Sequence, residues 1–185
     1  MVLESLEWKK ELREKKRKLI HYNTKENFDN HFEKTFFQCE RAVLYSAFIA
    51  RILVESEKLS DEADAFSIKV ACNSPIKNID RLHRWMDEDE YDWENTDHRA
   101  VFGTNICNWL IHSYVFSFLF EESGNITGFF VSSDYDRNKV LYTILLEDWI
   151  KYLDFIISDD MVSMSMSFNE KKSDYILNNK TRGSR

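Results

Sequence analysis

Between residues 30 and 59 the apolar positions Phe32, Phe36, Val43, Ala47, Ala50 and Val54 recur at spacings of three, four and seven. That spacing predicts one buried face of a long helix. Leu146, Trp149, Ile150, Leu153 and Ile157 recur in the same way and predict a helix at about 145–157. A sparser stripe of Leu3, Leu6, Trp8, Leu12, Leu19 and Ile20 predicts a strongly charged helix over 1–22. Asn73-Ser74-Pro75 is a break whose polar residues can cap a shorter helix at 76–86. Thr96 or Asp97 can cap another over 98–120, with Phe102, Ile106, Trp109, Phe116 and Phe120 as its apolar ridge.

Two segments, 126–132 and 139–143, read as strands joined by the turn Asp134-Tyr135-Asp136-Arg137, a hairpin over 126–143. Val162, Met164, Met166 and Phe168 alternate with Ser163, Ser165 and Ser167. A period of two predicts a third strand at 162–168. It pairs with the hairpin, offers a partner-binding or swapped edge, or is a loosely ordered tail. The expected fold is mainly α: a single helical domain over 1–180, a bundle of four to five helices with a small antiparallel β element near the C-terminus. Thr181-Arg182-Gly183-Ser184-Arg185 reads as a vector-derived tail and is set aside from the fold.

Composition supports long elements: the 185 residues include only 4 Gly and 1 Pro. A hydrophobic share of 43% can fill a core. The formal charge of -7 argues against a broadly basic nucleic-acid binder. Charge is nevertheless polarised. Seven of the ten residues 9–18 are Lys or Arg, including Lys15, Lys16 and Arg17, and seven of the eleven residues 87–97 are acidic. The basic helix is either a solvated face or a surface for RNA or an acidic partner. The acidic stretch reads as a surface loop that can dock against it. Three cysteines without paired spacing point to a reduced, cytoplasmic protein. The uncharged run 100–120 has the length of a membrane span, about 20 residues. Its Asn, His, Ser and Thr content assigns it instead to a buried core helix, so no membrane partner is expected.

Candidate chemistry sits in that run. Asn105, Asn108 and His112 fall at i, i+3 and i+7, on one face of a helix. Such a polar stripe is either satisfied inside the core or faces a ligand. There is no glycine-rich phosphate loop, no paired-cysteine zinc pattern and no His-Glu-x-x-His, so no metal and no cofactor is expected.

Cys107-Asn108-Trp109-Leu110-Ile111-His112 resembles the signature of the HEPN group of helical-bundle proteins: Arg, four to six residues, then His, often with Asn directly after the Arg. The Asn and His positions match, and Cys107 stands where the Arg would be. The resemblance implies metal-independent RNA cleavage at a homodimer interface, in a bacterial defence or toxin–antitoxin type system. Such cleavage needs a proton acceptor for the ribose 2′-hydroxyl, a donor for the leaving oxygen and a cation for the phosphorane charge. His112 suits either proton role, since an unperturbed imidazole titrates near ~6.5. Asn108 can orient it or bond a phosphate oxygen, and Asn105 extends the binding face. A thiol is never cationic, so the cation must come from elsewhere, with Arg99, Arg81, Arg84 and Arg41 as candidates. Arg99 lies about 12 Å along a helix from Cys107 and suits the role best across a dimer. The alternative reading is a non-enzymatic interaction or assembly protein. A small-molecule sensor built on the aromatic core is a third.

Overall fold

The computed structural model describes residues 4–82 and 86–183. Its architecture corrects the expected bundle. About 44% of the described residues are helix and 31% strand, and a five-stranded antiparallel sheet forms the middle of the molecule.

Three helices lie close to their expected places: α1 (Ser5–Tyr22), α2 (Lys25–Glu55) and, late in the chain, α5 (Leu146–Ser158). The Thr24 side chain caps α2 by accepting from the Asn27 backbone N–H at 3.3 Å. A single turn, α3 (Asp61–Asp64), precedes β1 (Ser67–Asn73). The helix expected over 98–120 is instead three elements: β2 (Asp97–Phe102), α4 (Gly103–Ile111) and β3 (Ser113–Phe120). The two expected strands are present as β4 (Ile126–Ser133) and β5 (Leu141–Leu145). The helix expected at 76–86 is not formed by the described residues of that range. They form loop and turn, with a lone bridge between Pro75 and Tyr91, and residues 83–85 lie outside the described residues.

The sheet order is β2-β1-β5-β4-β3, every neighbour antiparallel. Residue parity sorts its two faces. Ile68, Val70 and Cys72 of β1, Phe118 of β3, Phe129 and Val131 of β4, and Tyr142 and Ile144 of β5 face one core with the helices. Val115, Phe130 and Leu141, one residue out of step, face a smaller core closed by Ile79 and Tyr91. The acidic stretch thus covers the sheet's second face, and its Asp89 and Glu90 pair with Lys77 at 3.2 and 3.5 Å. Packing on both faces explains why β3 reads as helix. A strand apolar on both sides has no alternation to show, and its sequence cannot be told from that of a buried helix.

The charged α1 is firmly packed. Leu12 and Leu19 are fully buried, and Lys9 reaches the Asp159 carbonyl. After α5 the chain forms a second sheet, the hairpin β6 (Met161–Asn169) and β7 (Asp174–Arg182). The strand expected at 162–168 therefore pairs with β7 and not with β4 or β5. Thr181 and Arg182, expected to stand outside the fold, belong to β7.

Candidate functional site

α4 is a short helix wedged between α2 and the sheet. Its first residue, Gly103, donates to the Phe66 carbonyl at 2.9 Å. A Cβ at Gly103 would lie 2.3 Å from the Tyr152 ring, so glycine is what lets the helix start this close to α5. Ile106, Cys107 and Leu110 turn inward, and Trp109 stacks on Tyr142 with ring centroids 3.6 Å apart at 7°. His112 closes the helix, its N–H bonded to the Asn108 carbonyl at 3.0 Å.

The remaining face is polar and open. Asn105, Asn108 and His112 are all exposed, so the stripe faces solvent and not the core. Arg51, from the last turns of α2, comes to it. Its Nη1 lies 3.4 Å from His112 Nε2, and its Nε donates to Glu55 Oε1 at 2.6 Å. A guanidinium only donates, so Nε2 is the acceptor in that contact. Arg51 is about two-thirds screened from solvent while Glu55 is largely open. A cation therefore stands beside the histidine on a surface that a polyanion can reach. Glu55 also borders a cleft of about 810 Å³, lined further by Trp8, Ile52, Met164 and Met166.

Arg51 is the functional candidate that sequence reasoning missed. The motif pointed to position 107 and its neighbours, whereas the cation arrives from a helix more than 50 residues earlier in the chain. The signal available was an Arg51–Glu55 pair at i, i+4 on the polar side of α2. Cys107 itself faces inward, its Sγ 3.9 Å from the Tyr152 hydroxyl, and burial pushes its thiol up to about 12.

The other expected binding residues lie apart from this cluster. Arg99 is on exposed β2, where its Nε donates to Asp97 at 3.0 Å. On α1, Lys15 pairs with Glu11 beside the Tyr45 ring, Lys16 bonds Asp154 at 2.5 Å and Arg17 bonds Glu14 at 3.0 Å. Each of these three cations already has a carboxylate of its own chain. Arg41 stands over Tyr45. Arg81 lies in a turn, and Arg84 falls outside the described residues. Among the described residues, no three His, Cys, Asp or Glu side chains gather as a metal site would require. Among them, too, no helix is long and apolar enough to cross a membrane.

Comparisons with protein-family models, with curated proteins and with solved structures find no match to this chain.

Proposed function

We propose that this protein is an RNA-associated, metal-independent endoribonuclease acting through His112, Arg51 and Asn108, and that it works as a homodimer. The observation that carries the reading is the Arg51 guanidinium 3.4 Å from His112 Nε2 on an exposed face. The helical bundle implied by the HEPN resemblance is absent, so the reading rests on this geometry and not on the fold. The defence or toxin–antitoxin setting belongs to the same proposal, and so does a cytoplasmic location, which three unpaired buried cysteines favour.

The chemistry is a transesterification. When the phosphate draws Arg51 off His112, the freed Nε2 accepts the proton of the ribose 2′-hydroxyl. The 2′-oxygen attacks phosphorus, the bond from phosphorus to the 5′-oxygen breaks, and the leaving oxygen takes a proton from solvent. The products are a 2′,3′-cyclic phosphate and a 5′-hydroxyl. Arg51 offsets the charge gathering on the phosphorane oxygens, as a planar fork suited to phosphate. Asn108, one turn before His112, offers an amide to a non-bridging oxygen. Glu55 holds the Nε side of Arg51 and so turns the other guanidinium edge toward His112.

The test is cleavage of a labelled single-stranded RNA by wild type, His112→Ala and Arg51→Ala proteins in excess chelator. Wild-type cleavage that falls about 10²–10³-fold in each variant supports the reading. No cleavage by the wild type, or full cleavage by His112→Ala, overturns it. The second reading, a non-enzymatic assembly protein, is favoured by the exposed β6–β7 hairpin and takes over in that event.

A further inference from the structure

β6 runs for nine residues without an ionisable side chain, in a chain whose composition is 31% charged. Residues 162–168 are exposed at every position, on both faces of the strand. Val162, Met164, Met166 and Phe168 lie 38–63% open to solvent. The hairpin is anchored at its base. There the Lys180 backbone N–H donates to Asp61 at 3.0 Å, the Lys180 ammonium pairs with Asp64, and Arg182 bonds the Ser158 hydroxyl at 3.1 Å. A two-stranded ribbon in water is marginal without a further strand or a covering layer. An uncharged, apolar open edge is what soluble proteins ordinarily avoid.

We infer that β6 pairs antiparallel with β6 of a second copy of this chain, joining two hairpins into one four-stranded sheet across a two-fold axis at Ser165. The inference rests on the homodimer part of the preceding reading and not on the chemistry at His112. The strand's own pattern carries it. Read outward from Ser165, Met164 and Met166 are mirror positions, as are Ser163 and Ser167, and Val162 and Phe168. In antiparallel pairing about that centre, methionine meets methionine, serine meets serine, and Phe168 comes opposite Val162 of the copy. A two-fold interface demands this self-complementarity.

Charge selects the same surface. Each copy carries a formal charge of -7, so on average two copies repel. Along β6 there is no like charge to oppose its own image. A basic or acidic partner would find nothing on this edge to pair with. The cleft beside Met164 and Met166 adds Trp8 and Ile52 to the apolar surface next to this edge.

Two variants test this by light scattering and crosslinking. Wild type is expected to run as a dimer at micromolar concentration. Met166→Lys places two ammonium groups near the axis and is expected to run as a folded monomer, with an unchanged circular-dichroism spectrum. Ser165→Cys is expected to form a covalent dimer under mild oxidation, because position 165 meets itself and the three native cysteines are buried. Arg99→Cys, on the far edge strand, is the control and is expected not to crosslink. A monomeric wild type overturns the homodimer altogether. A wild-type dimer with no Ser165→Cys crosslink overturns β6 as the interface and leaves the dimer standing. RNA cleavage, measured separately, decides the chemistry.

Discussion

Cys107 lies inside the core with its thiol against the Tyr152 hydroxyl, and that placement explains why no cation stands at this position. An arginine here would have to bury its charge among Ile106, Leu110 and Trp149, which costs several kcal/mol without a partner. Arg51 reaches His112 from outside and keeps contact with water and with Glu55. A single point charge is not equivalent to its fork. Arg51→Lys is therefore expected to lose most of the cleavage that Arg51→Ala loses, with the RNA dissociation constant changed by less than the rate; a lysine variant of wild-type rate would show that only charge is needed. The cysteines yield a second residue-scale expectation. Burial pushes the Cys39 and Cys107 thiols up to about 12, above the ordinary thiol value near ~8.5. Both thiols stay protonated and shielded in the folded protein. Native protein is expected to react negligibly with an aromatic disulfide reagent at pH 8, and to yield three thiols in guanidinium. Rapid titration of two or more in the native state would contradict their burial.

At the scale of elements, close approach governs what the chain can do. The join between β2 and α4 depends on Gly103, where an added Cβ would meet the Tyr152 ring at 2.3–2.7 Å. Gly103→Ala is expected to destabilise by about 1–3 kcal/mol, the ordinary cost of overpacking a filled core. It would also shift α4, so cleavage should fall along with the urea midpoint; an unchanged midpoint would mean the ring moves freely. In β4, a Cβ at Gly128 would lie 2.6 Å from the Ile144 carbonyl oxygen, a backbone atom that cannot step aside. α1, α2, α5 and the alternation in β6 were legible because each has one apolar stripe with a single period, and β4 and β5 because the turn Asp134-Tyr135-Asp136-Arg137 separates two short apolar runs. β1, β2, β3 and β7 were not. β3 is apolar toward both cores, β1 turns Ile68, Val70 and Cys72 inward over too short a run to stand out, and β2 and β7 are polar edge strands that take their structure from the neighbour they pair with. The candidate site was half legible in the same sense: Asn105, Asn108 and His112 share a face by spacing alone, whereas Arg51 joins them only when α2 packs on α4.

At the scale of the whole molecule, one sheet separates two cores, and among the described residues the α-helices pack on one of its faces. Trp149 is the largest fully buried side chain in the helical core and touches Phe129 of the sheet and Tyr152 of its own helix. Trp149→Ala is expected to cost about 3–5 kcal/mol in urea unfolding; a loss under 1 kcal/mol would show the cavity collapsing. The buried thiols add a global pH dependence. Above the ordinary thiol value the unfolded chain releases protons that the folded chain retains, so stability falls as pH rises. The urea midpoint is expected to drop between pH 8 and 10, and a midpoint that rises there would reverse the sign. By itself the sequence determined which stretches carry a buried face, where the polar stripe lies and that β6 is free of charge, because these are properties of spacing and side-chain chemistry. Only the tertiary structure decided that the uncharged run is strand, helix and strand, that the stripe faces water, and that Arg51 supplies its cation. Those outcomes depend on which surfaces meet across long separations in the chain, and no local period encodes that.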